Sequence, residues 1–250
     1  KKSLINRHDK LGDFILAFPA CVQMKKTMPQ AEIHTLVPGY TRDIASVCEG
    51  IDKIISDPGP DANFVRQFKL WREIRRQQYD AVITLYSTTR IGLILWLSGI
   101  DYRLAPATKI AQIFYNHRLT QRRSRSEQTE YEYNLDLIYH YLRHQGITGP
   151  APANAPFLQF PEHEIQKTRD DFYAQHNIDH QQKLIFIHPG SGGSAVNLSN
   201  QQFADIASRL RSSGGHPIVI SAGPGEQAHA EQRGSLLPST GKQVDYISSQ

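Results

Sequence analysis

A short charged turn near the start of the chain holds the residue with the best placement for chemistry. The turn spans Asn6 to Gly12, follows a candidate strand from Ser3, and opens an apolar run at Phe14. A strand, a turn with one glycine and a helix start form the first half of a βαβ unit, and α/β proteins bind ligands at the carboxyl ends of such strands. Asp13 is therefore a candidate catalytic carboxylate. The alternative, which spacing alone favours, is that Asp13 only caps the helix, because aspartate is preferred at helix N-termini.

A glycine-rich turn is the second candidate site. It spans Pro189–Ser194 and follows the apolar strand candidate Lys183–His188. Small residues let backbone N–H groups approach a phosphate, and a following helix N-terminus favours negative charge. The turn matches neither the dinucleotide fingerprint nor a Walker loop, so an ordinary βα loop is an equally good interpretation. In a later loop of the same kind, Glu226 could bind ribose hydroxyls or be a solvated surface residue.

A basic stretch, Lys109–Arg125, lies between these two regions. Arg118, Arg122 and Arg123 could clamp an anionic acceptor, because a guanidinium binds carboxylate or phosphate through two parallel hydrogen bonds. A solvated surface or a mobile loop is the alternative. Nucleic acid is a less favoured partner, because the sequence contains no recognised nucleic-acid-binding module.

Composition narrows the class of protein. The net charge of +4 and the pI near 9.0 fit an anionic small molecule, an anionic membrane surface or nucleic acid, without choosing between them. The two cysteines, Cys21 and Cys48, form no CxxC motif and indicate a reducing compartment. The 11 histidines show no metal-binding spacing, and no nucleophile elbow is present. We expect neither a signal peptide nor a membrane-spanning segment.

The elements around these residues alternate between strands and helices. We predict strands at 3–6, 31–38, 51–55, 79–85, 183–188 and 216–221, and helices at 14–27, 41–48, 64–77, 91–97, 126–145, 162–176 and 200–211. Pro19 implies that the first helix bends, or that its regular part starts near Ala17. Such alternation predicts an α/β fold with parallel, doubly wound sheets.

A proline-rich segment, Gly149–Pro156, is the best domain boundary. We therefore expect an N-terminal Rossmann-like domain at 1–150, a linker and helix at 151–182, and a second Rossmann-like domain at 183–250. The last region holds about two βα units, fewer than such a half usually has, so we expect the C-terminal domain to be incomplete.

The run Leu11–Ala20 after a strand resembles the opening of glycosyltransferase family 9, the ADP-heptose:lipopolysaccharide heptosyltransferases. Further segments resemble the same family in the same order along nearly the whole chain. These segments are Tyr79–Ile83 with Leu97–Gly99, Tyr131–Leu137, and Ile187–Gly192 leading to Phe203 and Ala204.

The resemblance implies a GT-B architecture, in which two Rossmann-like domains with parallel sheets face a cleft. It implies that Asp13 is the general base, that the N-terminal domain takes the acceptor, and that the C-terminal domain takes the nucleotide sugar without a required divalent metal or other cofactor. The implied donor-binding residues are His188, Pro189, Gly190, Ser191, Gly192, Ser194, Asn197 and Glu226. The acceptor-binding candidates are Arg7, Lys10, Arg118, Arg122 and Arg123.

The expected function is that of an inverting glycosyltransferase. It would transfer a heptose or related sugar from a nucleotide-sugar donor, ADP-heptose, to the anionic inner core of lipopolysaccharide, as a cytoplasmic protein peripheral to the inner membrane. Two departures from the family pattern support an alternative, a catalytically degenerate GT-B-like protein that binds a sugar nucleotide or glycolipid. Val196 stands where the family often has a lysine, and the later Gly-Asn-Asp-Ser-Gly-Pro-like donor motif is absent before Gln250.

Overall fold

The computed structural model describes residues 1–107, 110–189, 197–222 and 246–248. The chain divides into two compact units, Lys1–Phe160 and Pro161–Gln250. The strands of the first unit are β1 (Lys2–Asn6), β2 (Glu32–Pro38), β3 (Lys53–Asp57), β4 (Ala81–Thr84), β5 (Tyr102–Pro106) and β6 (His117–Leu119). They form one parallel sheet in the order β3-β2-β1-β4-β5-β6, which is the doubly wound order of a Rossmann fold.

Helices cover both faces of this sheet. They are α1 (Leu11–Ile15), α2 (Phe18–Thr27), α3 (Arg42–Ser46), α4 (Phe64–Gln77), α5 (Thr89–Leu97) and α6 (Glu130–His144). On one face, α1, α2 and α6 bury Phe14, Phe18 and Leu137 against the strands. On the other face, α4 and α5 bury Leu70 and Ile91 together with a short 3₁₀ helix, Ile110–Phe114.

The proline in the first helical segment decides where regular helix begins. α1 ends at Ile15, and α2 begins at Phe18 with Pro19 in its first turn. Proline fits there because the first turn has no intrahelical partner for its backbone nitrogen. The second of the two predictions for this segment, a regular helix from near Ala17, is therefore confirmed.

Strands β5 and β6 and the start of α6 differ most from the prediction. The sequence pattern did not indicate β5 or β6, and β6 lies inside the basic stretch. Helix α6 begins at Glu130 rather than at residue 126, because Thr129 and Glu132 form a capping box there. Just before it, Ser126 adopts a left-handed conformation with φ of 50°, which ends the preceding turn.

The second unit contains α7 (Glu162–Gln175), β7 (Ile185–Ile187), α8 (Asn200–Gly214), β8 (Ile218–Ala222) and β9 (Tyr246–Ser248). Its strands are parallel in the order β7-β8-β9, and Ala207 of α8 packs on Ile218 and Ile220. The proline-rich segment before this unit lies against the first one, where Gln23 hydrogen-bonds the backbone of residues 151 and 153.

Candidate active site

The candidate site lies at the carboxyl ends of β1 and β4, where the strand order reverses. In doubly wound sheets this switch point is where ligands bind. His8 joins the loops that follow β1 and β4, since its Nε2 lies 3.0 Å from Thr88 Oγ1 and its Nδ1 lies 3.0 Å from Asn6 Oδ1. Asn6 Nδ2 donates to the Tyr86 carbonyl, so Asn6 Oδ1 is free to accept from Nδ1–H of His8.

His8 is held neutral by its surroundings. The pKa of His8 is lowered to about 4, chiefly by burial and also by the positive charges of Arg90 and Arg7, against the opposing effect of Asp57. A neutral imidazole donates from one nitrogen and accepts at the other. The two hydrogen bonds therefore match one tautomer, and His8 fixes the β1 loop to the start of α5.

Arg7 is the centre of a buried charge network directly after β1. Its side chain is 3% exposed, and it binds Asp9 through two parallel hydrogen bonds of 2.8 Å. Nη1 donates to Glu130 at 2.6 Å and to Asn134 Oδ1 at 3.1 Å, and Nη2 lies 3.5 Å from Asp13 Oδ1. Burial lowers the pKa of Arg7, but its hydrogen bonds and charge contacts with Asp9 and Glu130 outweigh burial and raise it overall.

The three carboxylates around Arg7 differ in how much freedom they keep. The side chain of Asp9 is 14% exposed and that of Glu130 is 27% exposed, whereas that of Asp13 is 39% exposed. Asp13 also has the longest contact with the guanidinium. It is therefore the carboxylate of this group with most room to accept a ligand hydrogen bond.

The structure bears directly on the capping alternative for Asp13. The N-cap position of α1 is occupied by Lys10, and no side chain caps that helix. Asp13 lies in the first turn, where a negative charge is still favourable. Its described partner is Arg7, so its contact is made toward the charge network rather than toward the helix end.

The acceptor-binding candidates fall into two groups. Arg7 contacts Asp13 directly, and Arg123 is joined to Arg7 through the carboxylate of Glu130, which pairs with both guanidiniums. Arg123 also donates to Gln121 Oε1 and lies over the ring of Tyr133. The other candidates have exposed side chains and, among the described residues, no ion pair with a carboxylate; they are Lys10, Arg118 and Arg122.

Three donor-binding candidates lie within the described part of the second unit. His188 Nδ1 lies 3.0 Å from Ser221 Oγ, which links the carboxyl ends of β7 and β8. Asn197 donates from Nδ2 to the carbonyl of Pro189. The remaining candidates, together with Val196, lie outside the described residues; they are Gly190, Ser191, Gly192, Ser194 and Glu226.

Several residues of the first-unit site were not predicted from the sequence. They include Asp9 and Glu130, which hold Arg7, and Asn134, which donates to Leu16 O at the break between α1 and α2. A signal was available, because an arginine that directly follows a buried strand needs nearby carboxylates. The sequence alone does not tell which acidic residues supply them.

Comparison with known proteins identifies the family. The model of glycosyltransferase family 9 (heptosyltransferase) matches residues 67–244. A Haemophilus influenzae protein inferred to be a glycosyltransferase is 43% identical over 238 residues, which are 95% of this chain and 68% of that protein. The chain belongs to glycosyltransferase family 9. The resemblance found in its motifs is thus confirmed, and this membership supports glycosyltransferase activity.

Solved structures of family 9 proteins agree with the fold. A family 9 glycosyltransferase from Veillonella parvula has a TM-score of 0.79 at 17% identity, over 99% of this chain and 69% of that one. Escherichia coli ADP-heptose lipopolysaccharide heptosyltransferase II has a TM-score of 0.77 at 18% identity, over 96% of this chain and 70% of its own. An E. coli heptosyltransferase solved with ADP has a TM-score of 0.69 at 14% identity, over 99% of this chain and 74% of that one. The predicted α/β fold of the GT-B heptosyltransferases is confirmed.

Proposed function

We propose that this family 9 protein is an inverting glycosyltransferase that moves a heptose, or a related sugar, from ADP-heptose to the inner core of lipopolysaccharide. The observation that carries the proposal is the placement of Asp13. Its half-exposed carboxylate lies at the switch point of the first sheet and contacts the buried guanidinium of Arg7. The E. coli relatives named for ADP-heptose and solved with ADP support the choice of donor.

In the proposed reaction, Asp13 accepts the proton of an acceptor hydroxyl. The hydroxyl oxygen then forms a bond to the anomeric carbon of the donor sugar. The bond from that carbon to the diphosphate oxygen breaks, and ADP leaves with the electron pair. Because attack and departure occur on opposite faces, the anomeric configuration inverts. A positioned general base of this kind contributes about a hundredfold to ten-thousandfold in rate.

Arg7 is assigned a positioning role rather than a direct contact with the acceptor. Its donors are taken up by protein carboxylates and by Asn134, and its side chain is buried. A guanidinium fixed in this way restricts the orientation of the Asp13 carboxylate. Arg123 acts one step further away, by holding the Glu130 carboxylate that also binds Arg7.

The exposed cations Lys10, Arg118 and Arg122 are proposed to bind the anionic groups of the acceptor. The Nε of Arg118 donates to the carbonyl of Tyr115, and its Nη atoms have no hydrogen bond or ion pair with the residues that the structure describes. In the second unit, His188 and Asn197, together with the turn at 190–194, are proposed to bind the donor diphosphate, and Glu226 its ribose. We further propose that transfer needs no divalent metal and takes place at the cytoplasmic surface of the inner membrane.

The experiment that tests this function is a transfer assay with purified protein, ADP-heptose and an inner-core acceptor, run with and without EDTA. We expect release of ADP together with a product of inverted anomeric configuration, at the same rate in EDTA. Retention of configuration, or transfer abolished by EDTA and restored by a metal ion, would contradict the mechanism. Tight binding of ADP-heptose without turnover on any core acceptor would favour the alternative of a catalytically degenerate binding protein, for which Val196 is the motivating observation.

A further inference from the structure

The outer layer of the first unit exposes an unusual amount of apolar surface. Helices α4 and α5 lie side by side on one face of the sheet, and their outward sides carry large hydrophobic side chains that solvent reaches. The side chain of Phe64 is 80% exposed, and the others are 40–58% exposed; they are Val65, Phe68, Leu93, Trp96 and Leu97. Contiguous exposed apolar surface marks an interaction site.

Aromatic rings join neighbouring side chains along this face of the unit. Phe64 stacks on Phe68 at a ring distance of 6.3 Å, and Phe68 contacts Trp71 at 5.1 Å. Gly92 lets the 3₁₀ helix approach α5, since a Cβ at this position would lie 2.9 Å from the ring of Phe114. That 3₁₀ helix extends the apolar surface with the exposed side chains of Ile110 and Ile113.

Helix α4 combines this apolar surface with a high positive charge. The helix begins with Phe64 and Val65, and along its length it carries five cations and one carboxylate, Glu73. Leu70 and Ile74 face the sheet, so helical spacing places Lys69, Arg72 and Arg76 on the exposed side with Phe68. None of these three cations has an ion pair within the part of the chain that the structure describes.

We propose that the outward face of α4 and α5 is a docking surface for an anionic lipid bilayer. Aromatic side chains beside a row of lysine and arginine residues are typical of helices that lie in the membrane interface, where each cation adds about fivefold in binding to an anionic surface. A second copy of the chain is a poorer occupant, because a twofold contact would place the cations of one α4 against those of the other. No helix among the described residues is long and apolar enough to cross a bilayer, which fits docking in the interface plane.

This surface is connected to the candidate active site. Helices α4 and α5 both start at the sheet edge that carries Asp13, and Arg90 of α5 binds Gln67 of α4 and Asp57 at the end of β3. The residue before α5, Thr88, binds His8 of the β1 loop. Docking through this face would bring a lipid-linked acceptor to the sheet edge that carries Asp13. In that respect the inference rests on the proposed function.

The two tryptophans of the chain provide a direct readout. Trp71 lies in α4 and Trp96 in α5, so tryptophan fluorescence, excited selectively at the red edge, reports on these two helices. Purified protein is mixed with vesicles of phosphatidylcholine, with or without phosphatidylglycerol. We expect a blue shift and protection from acrylamide quenching only with phosphatidylglycerol. An unchanged spectrum at vesicle concentrations that bind the protein would place docking elsewhere and overturn the proposal.

Two pairs of substitutions distinguish a specific role of this face in vesicle binding from a general effect of net charge or hydrophobicity. Arg72→Gln with Arg76→Gln should weaken vesicle binding about 30-fold, from the contribution of each cation. Phe64→Ser with Phe68→Ser should weaken it at least about tenfold. The matched controls use exposed residues of the second unit, Lys167→Gln with Arg209→Gln and Ile165→Ser with Ile206→Ser. Equal loss in test and control pairs would overturn the proposal.

The outcome is distinguishable from failure of the proposed function. The docking variants should keep wild-type transfer to a water-soluble, delipidated acceptor and lose transfer to the same acceptor in vesicles. Loss of vesicle binding only on Arg118→Gln with Arg122→Gln would assign docking to the basic stretch instead. A change in oligomeric state, with no binding of anionic vesicles by the wild type, would mean that the face joins two copies. Either result would contradict docking of a bilayer on α4 and α5, whether or not the protein transfers heptose.

Discussion

Around Arg7, geometry decides which of three neighbouring carboxylates can act on a ligand. Asp9 is bound through both oxygens, and Glu130 is shared with Arg123, so neither is free to turn toward a substrate. Asp13 has one contact of 3.5 Å and the most exposed side chain of the three. A base needs both a fixed position and an open lone pair, and only Asp13 of this group combines them.

The positioning role of Arg7 is tested by Arg7→Lys. Lysine keeps the positive charge but cannot make the parallel pair of hydrogen bonds to Asp9 while also reaching Glu130 and Asp13. We expect kcat to fall about 10–100-fold with little change in the KM for the donor. Steady-state kinetics would measure both, with Arg143→Lys on the exposed side of α6 as the control. A rise in donor KM at unchanged kcat would argue against this role.

His8 makes the first unit sensitive to acid. Its pKa is about 4 in the folded chain, against about 6.5 for an unperturbed histidine, so the unfolded chain binds the extra proton first. The free energy of unfolding should therefore fall as the pH drops from about 6.5 to about 4. Below that range, protonation of His8 should cause no further loss.

We expect His8→Gln, which cannot titrate, to show a shallower loss of stability between about pH 6.5 and 5. Urea unfolding followed by tryptophan fluorescence measures this, because both tryptophans lie in the first unit. The control is His163→Gln, on the exposed surface of α7. A parallel pH profile for His8→Gln and wild type would show that His8 is not the responsible group.

At the scale of the elements, the sequence predicts what local patterning determines. The bounds of α4 agree with the prediction at both ends, because its apolar spacing, its Asn63 cap and its charged face all indicate the same helix. Strand β6 has only three residues and exists through pairing with β5, which a local pattern cannot show. The same limit applies to the site. The position of Asp13 directly after a strand identifies it as a candidate in the sequence, whereas Glu130 is 123 positions away from Arg7 and a local pattern cannot show their contact.

Gly50 fixes how the loop before β3 packs against α2. A Cβ at this position would lie 2.4 Å from the carbonyl carbon of Cys21 and 2.5 Å from the backbone nitrogen of Val22. Backbone atoms cannot move aside as a flexible side chain can, so we expect Gly50→Ala to reduce the free energy of unfolding by about 3 kcal/mol. The measurement is chemical denaturation, with Gly39→Ala, which has open space around it, as the control. Equal stability of the two variants would contradict this packing.

At the scale of the whole molecule, the two units carry separate parts of the proposed reaction. The charge network and the lipid-docking face belong to the first unit, and His188 and Asn197, the described donor-binding candidates with polar side chains, belong to the second. Within the first unit, one sheet edge holds the candidate base and the starts of both docking helices. Membership of glycosyltransferase family 9 gives this division a chemical meaning, because such an enzyme must bring a donor and an acceptor together.

The most direct test of the central claim is the single-turnover rate of sugar transfer by Asp13→Asn. Asparagine keeps the size of the side chain but cannot take the proton, so we expect a loss of about a thousandfold with unchanged affinity for the donor. The matched control is Asp101→Asn, an exposed aspartate directly before β5 at the opposite edge of the sheet, which should keep the wild-type rate. A single-turnover rate for Asp13→Asn equal to that of the control would contradict the account.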